Sequence, residues 1–394
     1  MELVHRVLNY LHERRDRNVT GKINCIPTPF RGFNSEFVGI EKGMYYIITA
    51  NQKAAKTQFT SFLFIFHPLL YAFHHPDKLR IKIFYAPLEE SKEQAVERFI
   101  RYILYINSGQ KIRVDPKLLE STIEGEALPK EVLDLLGTSP YKEMLDFYES
   151  HVEFITEKNP TGIYKRVIKY VLEHGKREQE EITVKNEFGV EEKRKQFKSY
   201  VQDDPEEYVI LLTDHCGLLN TESGMTLRDT IKKMSNYNME LRDYYGVVAA
   251  MVQQQSVENQ SLDAFKLTRI RPTVSGLADC KDTRYDCSMM LGLCNPYAME
   301  VKSFLGYDIL KLKDHQRFFE VMLSRWGGAN SITALYFDGA VSFFSELPKP
   351  DELEALAKYY RWIDGLKRVP KRVATLLTFS KIVKKIKGIL KENH

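Results

Sequence analysis

The sequence predicts an α/β protein built on a central, mostly parallel sheet. Three observations support this fold class. A run of strand-forming residues, Met44–Ala50, is followed by a polar turn and an apolar helix that begins near Lys56. A second strand, Arg80–Ala86, precedes a second helix from Ser91 to about Ile106, and this order predicts parallel pairing through a right-handed crossover. The same alternation of strands and helices resumes after residue 207.

Composition is that of an ordinary globular protein. The 394 residues are 43% apolar and 28% charged, with a formal net charge of +4. These values exclude a wholly disordered or collagen-like chain and allow one large core with an accessory region. Five cysteines form no CxxC pair, so we expect reduced thiols rather than disulfides or a metal site.

Nothing in the sequence predicts secretion or a membrane span. The first 17 residues, MELVHRVLNYLHERRDR, do not resemble a signal peptide. The most apolar window, Phe59–Phe73, contains His67 and Pro68 and is shorter than the roughly 20 residues that a spanning helix needs. We therefore expect a cytoplasmic protein with no membrane partner.

Residues 1–20 are predicted to form a short N-terminal linker helix. Leu3, Val4, Val7, Leu8 and Leu11 recur at helical spacing, with charged residues on the other side. Such an apolar stripe needs a covering surface, either on the same chain or on a neighbouring one.

Residues 21–346 are predicted to form one α/β core with an insertion at about 107–205. The insertion is charge-rich and reads as largely helical, and its Asn186–Gly189 stretch is suited to a hairpin turn. The later elements are predicted as strand Tyr208–Thr213, helix Leu227–Arg242, strand Val247–Val252, strand Cys287–Leu293, and a closing hairpin from Thr333–Phe337 to Val341–Phe344.

Residues 347–394 are predicted to form a basic helical tail. From Lys367 to His394 the tail carries nine Lys or Arg and one Glu, beside a series of apolar residues. A basic amphipathic helix of this kind suits nucleic acid, an acidic partner, a membrane surface or packing on the core, and these alternatives stay open.

The turn after the first long strand matches the spacing of a phosphate-binding P-loop, G-x-x-x-x-G-K-[ST], with alanine in place of both glycines. Its eight residues are Ala50, Asn51, Gln52, Lys53, Ala54, Ala55, Lys56 and Thr57. Backbone N–H groups would hold the phosphates of ATP, Lys56 would reach the terminal phosphates, and the Thr57 hydroxyl would bind Mg²⁺. A left-handed conformation at Ala55 would cost on the order of 1 kcal/mol.

Polar residues follow three other strands in the order that this chemistry requires. Glu89 comes after the second strand and is a candidate base for activating water. Asp214 ends the strand YVILLT and is a candidate Mg²⁺ ligand, while Gln253 ends the strand VVAAMV and is a candidate sensor of the terminal phosphate. Parallel strands place their carboxyl ends at one edge of the sheet, so we expect these side chains to converge.

With these residues in place, most of residues 20–346 resembles the RecA-like motor domain of DnaB-type replicative ring helicases. The matching segments are Ile26–Phe30 with Gly39–Gly43, Leu88-Glu89, Val247–Gln253, Arg271–Leu277 with Asp286–Ser288, and Arg325-Trp326-Gly327. The resemblance implies a RecA-like P-loop core, with the charged insertion and the linker helix as additions to it.

The resemblance also implies functional roles. Glu89 corresponds to the catalytic base of the family, and Arg325 to an arginine finger that acts on a neighbouring subunit. The loop regions near the central channel place Lys266, Arg269, Arg271 and Arg284 as candidate DNA-binding residues. The implied partners are single-stranded DNA, further copies in a ring, usually hexameric, and a primase or loader.

The sequence departs from the family at several points. Ala55 replaces the P-loop glycine, Leu323 takes the place of a lysine two residues before the finger, and His215 follows the Asp214 strand end in place of the usual residue. The insertion is longer and more charged than usual, and only a short helix stands where the family has an N-terminal domain. Such a chain would suit a phage or mobile-element version, acting in a bacterial cell or a phage-infected host.

Three functions compete on these residues. The leading one is an ATP-driven helicase motor that moves as a ring on single-stranded DNA, favoured by Lys56, Thr57, Glu89, Asp214 and Arg325. The second is a non-hydrolysing ring component or scaffold that keeps the fold and binds nucleotide or DNA, favoured by Ala55 and Leu323. The third is a strand-exchange filament, which shares the core. Such a filament should lack the arginine-proline loop and the finger spacing, and both are seen in this sequence.

Overall fold

The computed structural model describes residues 2–33, 37–185, 191–256, 270–329 and 331–368. The predicted DNA-binding residues Lys266 and Arg269, the turn at 186–190 and the basic tail from residue 369 onward lie outside these described residues.

The strands of the described residues follow the chain in this order: β1 (Ile26–Pro27), β2 (Gly39–Ile40), β3 (Tyr45–Ala50), β4 (Arg80–Pro87), β5 (Val152–Phe154), β6 (Gly175–Lys185), β7 (Glu191–Gln202), β8 (Glu207–Asp214), β9 (Val248–Gln254), β10 (Met289–Cys294), β11 (Ser303–Phe304), β12 (Tyr307–Asp308), β13 (Gln316–Ser324), β14 (Ser331–Asp338) and β15 (Phe343–Glu346).

The α-helices of the same residues are α1 (Glu2–Val19), α2 (Lys56–Ser61), α3 (His67–His74), α4 (Lys92–Asn107), α5 (Pro116–Leu119), α6 (Lys130–Leu136), α7 (Tyr141–His151), α8 (Pro160–Glu173), α9 (Leu227–Tyr245), α10 (Ile309–Leu312) and α11 (Leu353–Arg368). A π-helical segment, Phe62–Phe66, joins α2 to α3.

A nine-stranded sheet forms the centre of the described structure, in the order β15-β14-β13-β10-β3-β9-β8-β4-β5. The strands from β10 to β5 pair in parallel, whereas β13, β14 and β15 continue the sheet in antiparallel fashion. Every residue of β3 is buried, as expected for a central strand covered on both faces. The predicted α/β class with a mostly parallel sheet is therefore confirmed.

Alternate residues of β3 face two apolar layers. Tyr46 and Ile48 belong to a core that contains residues of α2, α3, α4 and α7. Tyr45 and Ile47 belong to a second core that includes residues of α8 and α9. Helices therefore cover both faces of the sheet, and its two ends stay available for loops.

The carboxyl ends of the parallel strands meet at one edge of the sheet. Ala50 at the end of β3 is in register with Gln254 at the end of β9, and Pro87 at the end of β4 is in register with Asp214 at the end of β8. We call this the carboxyl edge, and the opposite end of the parallel strands the amino edge. Ligands of open α/β sheets bind at the carboxyl edge.

The range 107–205 contains the predicted helices and also two β elements. Strand β5 pairs in parallel with β4 and extends the central sheet. Strands β6 and β7 form a separate antiparallel ribbon, with Lys185 opposite Glu191, in a range that was predicted as largely helical apart from a stretch suited to a hairpin turn. Phe197 of this ribbon packs on Tyr244 and Tyr245 at the end of α9.

Strand β13, which was not predicted, lies between β10 and β14. It carries Phe319, which contacts Phe30, Phe33 and Phe59 in an aromatic cluster beneath α2. The closing hairpin was predicted correctly but pairs with the rest of the sheet only through β13.

Helix α1 lies at the amino edge, and several of its apolar side chains are in solvent. Arg17 forms an ion pair with Glu206 at 2.6 Å, and Arg14 forms one with Glu41 at 2.9 Å. Exposed apolar side chains on the helix include Val4, Val7, Leu8 and Leu11. None of the described helices combines the length and the apolar composition that a bilayer-spanning helix needs.

Candidate nucleotide-binding site

The loop between β3 and α2 adopts a left-handed backbone conformation at Ala55, although the loop contains no glycine. Ala55 adopts the left-handed conformation, with φ 69° and ψ 42°, immediately before Lys56 begins α2. Lys53 also has a positive φ, of 57°. The loop thus turns sharply and directs the start of α2 toward the carboxyl edge, despite the strain that a Cβ atom brings to this conformation.

Two side chains from distant strands hold this loop from outside. Asn295, just after β10, donates from Nδ2 to the carbonyl of Lys53 at 3.1 Å. Arg317, in β13, donates from Nε to the carbonyl of Ala54 at 3.0 Å. Burial lowers the pKa of Arg317 to about 10 against the opposing effect of Asp314. Sequence reasoning missed both residues, although Asn295 follows a strand that ends at this edge.

Lys56 is directed inward. Its Nζ lies 3.5 Å from the carbonyl oxygen of Asn51, across the loop. Burial lowers the pKa of the Lys56 ammonium, while Asp214 and Glu89 act in the opposite direction. A partly desolvated ammonium at the start of a helix is suited to an anionic ligand with several charges.

Asp214 is fully buried, and neither of its carboxylate oxygens has a hydrogen-bond partner of good geometry among the described residues. Burial raises the pKa of Asp214 to about 7, the Thr57 hydroxyl lowers it in part, and Glu90 and Glu89 raise it further. A buried carboxylate without a well-formed hydrogen bond is costly unless a cation compensates for it. Together with the Thr57 hydroxyl it forms an oxygen donor pair of the kind that Mg²⁺ prefers.

The loop after β3 and the start of α2 border an open pocket of about 540 Å³ at the carboxyl edge. It is lined by Gln52, Lys53, Ala55, Lys56, Thr57, Gln58, Glu89, Glu90, Arg98 and Gln254. The structure therefore brings the predicted loop and the predicted base together.

The two consecutive glutamates after β4 have different surroundings. Glu90 accepts hydrogen bonds from Tyr85 Oη and from Arg98, both at 2.8 Å, and the Glu90–Arg98 ion pair is almost buried. The side chain of Glu89 is 55% exposed and lies 3.9 Å from Nε2 of His215. Of the two pocket-lining glutamates, Glu89 is the more exposed, and its role as the base stays a prediction.

The structure contradicts the placement of Gln253 at the terminal phosphate. Its Nε2 donates to the carbonyls of Ala278 and Cys280, and its Oε1 accepts from Thr283, all inside the protein. The next residue, Gln254, lines the pocket instead, 3.0 Å from Nε2 of His215. The predicted placement of Gln253 is therefore wrong, because side chains of a strand alternate between opposite faces and that of Gln253 faces away from the pocket.

The candidate DNA-binding residues within the described structure are differently engaged. Arg271 forms a bidentate ion pair with Glu320, whose side chain is buried, so the positive charge of Arg271 is largely compensated. Arg284 lies over the ring of Tyr285 at 4.6 Å and remains partly exposed.

Arg325 lies at the amino edge, away from the loop of its own chain. Its guanidinium donates to the carbonyls of Cys287, at 2.9 Å, and of Tyr285, just before β10 begins. Because β10 runs parallel to β3, about 15–20 Å of strand separates Arg325 from the loop after β3. Leu323, where the resemblance led us to expect lysine, packs against the second core.

No protein-family model matches the sequence, and no curated protein matches it. Solved structures do match the fold. One of them, an ATPase domain, has a TM-score of 0.59 at 14% identity, covering 88% of this chain and 99% of that one. A DnaB-like replicative helicase, described with its interactions with primase, has a TM-score of 0.55 at 14% identity, covering 86% of this chain and 66% of that one.

The likeness establishes the fold. The chain has the α/β architecture of DnaB-like helicase ATPase domains, which confirms the predicted RecA-like core and, at the level of the fold, the predicted resemblance. The roles of individual residues follow from the geometry of the site.

Proposed function

We propose that this chain is the ATP- and Mg²⁺-dependent motor of a ring-forming DNA helicase of the DnaB type. The observation that carries the proposal is the buried carboxylate of Asp214, which has no well-formed hydrogen bond within the described residues. Asp214 lies beside Thr57, and Thr57 is at the start of the helix that follows a P-loop-shaped turn. That arrangement is unfavourable in isolation and becomes favourable when a cation and a polyphosphate are bound.

Each residue of the site has a distinct task in this proposal. The backbone of the loop and Lys56 bind the phosphates, while Thr57 and Asp214 hold Mg²⁺, which supplies positive charge against the developing negative charge of the phosphates. Glu89 accepts a proton from the attacking water. Gln254, rather than Gln253, is placed to contact the terminal phosphate or that water.

The assembly into a ring is supported by two features of the amino edge. Arg325 is too distant to serve the loop of its own chain, so it can complete a site only on another copy. Helix α1 exposes an apolar stripe that includes Val4, Leu8 and Leu11, which a second copy would cover. Single-stranded DNA, a hexameric ring and a primase or loader are parts of the same proposal, as is action in a bacterial cell or a phage-infected host.

A second function is favoured by the loop itself. Ala55 is held in a left-handed conformation, and Leu323 packs against the second core where the resemblance implies a lysine. A chain that kept nucleotide binding but lost turnover would be a scaffold or ring component with this fold.

One pair of measurements tests the proposal. We expect Mg²⁺-dependent ATP binding to the wild-type chain, lost in Lys56→Ala, and ATP turnover that increases with single-stranded DNA. Binding without turnover, with or without DNA, supports the scaffold. Equal ATP affinity in the wild type and in Lys56→Ala contradicts both functions.

A further inference from the structure

Two large aromatic side chains stand in solvent at the amino edge, on either side of Arg325. Trp326 is 67% exposed and Tyr285 is 63% exposed. Arg325 connects them, because it precedes Trp326 in the chain and donates to the carbonyl of Tyr285. Arg284 covers one face of the Tyr285 ring. We call Arg284, Tyr285, Arg325 and Trp326 the aromatic patch.

The patch is attached to rigid elements. Trp326 follows directly on β13, and its backbone N–H donates to Ser324 Oγ at 3.2 Å. Gly327 and Gly328 then turn the chain with φ values of 87° and 73°, which only glycine adopts without strain. The indole is therefore presented on a turn between two sheet strands rather than on a long loop.

The candidate nucleotide pocket has no aromatic side chain in its described lining, whereas the aromatic patch has two. No residue that lines it in the described part of the chain is aromatic, so its own walls offer phosphate contacts but no flat surface for a nucleobase. Tyr297 is 37% exposed and follows two residues after Asn295, whose side chain contacts the loop. Tyr297 is the alternative base contact within one chain.

The patch and the pocket lie at opposite edges of the same sheet, so they can meet only between two copies arranged head to tail. Their charges are complementary, since the patch carries two guanidinium groups, and the pocket would hold a triphosphate beside the exposed Glu89. Indole and phenol rings beside guanidinium groups form the kind of surface on which nucleobases stack.

We propose that Trp326 of one copy stacks on the base of the nucleotide bound in the pocket of a second copy, with Tyr285 as an additional surface. The inference depends on the proposed nucleotide binding and adds the partner that completes the site. Arg325 would thus bring an aromatic neighbour to the base as well as a charge to the phosphates.

Comparison of ATP with inorganic tripolyphosphate, both with Mg²⁺, separates the base contact from the phosphate contacts. Trp326→Ala should weaken ATP binding roughly 5- to 150-fold, as loss of one base-stacking contact does, and leave tripolyphosphate binding unchanged. Trp326→Phe, which keeps a stacking ring, should restore most of the affinity. If the wild type binds ATP and Trp326→Ala binds it equally well, or if only Tyr297→Ala loses ATP affinity, the inference is wrong while the proposed function stands.

Fluorescence tests whether the contact crosses between copies, because the chain has only two tryptophans. Trp362 is replaced by Phe in all subunits. Subunits with Lys56→Ala and an intact Trp326 are mixed with subunits that keep Lys56 and carry Trp326→Phe. ATP can quench the emission of this mixture only if Trp326 of a non-binding subunit touches nucleotide held by its neighbour. Unchanged emission, in assemblies that contain both subunits and bind ATP, overturns the inference.

Discussion

Glu90 is held by Arg98 in a nearly buried ion pair, whereas the adjacent Glu89 stays exposed at the pocket. This difference predicts that the same substitution mainly lowers turnover at Glu89 and mainly lowers stability at Glu90. Glu89→Gln should bind ATP and lower turnover about 10²- to 10⁴-fold, as expected on loss of a general base. The measurement is steady-state ATPase activity beside direct nucleotide binding.

Glu90→Gln is the matched control. It leaves Arg98 with a neutral partner, so we expect the free energy of unfolding to fall by roughly 1–3 kcal/mol. Turnover should fall much less than in Glu89→Gln when both are measured well below the melting temperature. A larger loss of turnover in Glu90→Gln than in Glu89→Gln would indicate that Glu90 is the general base.

The raised pKa of Asp214 predicts that the stability of the protein depends on pH in the absence of Mg²⁺ and nucleotide. Burial raises its pKa to about 7 from an ordinary value of 3.8, so the folded state binds the proton more tightly than the unfolded state. The cost of the buried charge is absent below about pH 4, grows as pH rises toward 7, and is constant above that. Asp214→Asn should therefore be more stable than the wild type at pH 8, on the order of a few kcal/mol, and similar to it at pH 4.

Urea denaturation at both pH values checks this prediction, and added Mg²⁺ with nucleotide should stabilise the wild type but not Asp214→Asn. Equal stability of the two proteins at pH 8 would show that the carboxylate is compensated in another way.

The left-handed backbone at Ala55 predicts a stabilising glycine. Ala55→Gly should remove about 1–2 kcal/mol of strain and lose about 0.5–1 kcal/mol through the greater freedom of the unfolded chain. The net expectation is a gain of up to about 1.5 kcal/mol in the free energy of unfolding. Ala54→Gly is the control, because Ala54 is buried with an ordinary φ and its replacement should destabilise. A loss of stability in Ala55→Gly would contradict the assigned conformation.

The fold was predictable where periodicity and strand composition gave strong signals. The buried runs that became β3, β4, β8 and β9 are continuous stretches of strand-forming residues, and their order specifies a parallel sheet. Strand β5, of three residues, and strand β13, which has charged residues within it, gave no such signal. Their places in the sheet depend on partners distant in sequence, which a local pattern does not contain.

The site was predictable in its position and less so in its details. Spacing located Lys56, Thr57 and Asp214, because motif residues follow strand ends. A one-residue error at Gln253 reversed the face on which the side chain lies, since strand alternation has a period of two. The hydrogen bond from Arg317 to the loop could not be predicted from the sequence. A buried arginine that contacts a loop more than 250 residues away has no local sequence pattern.

The two predicted DNA-binding arginines that lie within the described residues should behave differently. Arg284 is partly exposed, so Arg284→Ala should lower the salt dependence of single-stranded DNA binding by about 0.7–1 unit in log–log slope. Arg271→Ala should hardly change that slope, because Glu320 already compensates its charge, but it should reduce stability. Glu320→Gln is the informative partner variant, since it frees Arg271 and should steepen the slope. Equal slope changes for Arg271→Ala and Arg284→Ala would show that the ion pair opens on binding DNA.

Arg325 provides the test of a site shared between copies. Its guanidinium donates to the carbonyls of Tyr285 and Cys287, so a purely structural role as a brace is the competing explanation. As a finger, it should contribute about 10³- to 10⁵-fold to turnover, and Arg325→Ala should lose that factor while keeping ATP affinity and stability close to those of the wild type. Lys56→Ala should also be inactive, for the different reason that its own pocket is empty. Mixing the two inactive proteins creates some interfaces that pair an intact loop with an intact arginine, and these interfaces should restore ATPase activity. If subunits demonstrably exchange and no activity returns, Arg325 acts only as a brace for the segment before β10.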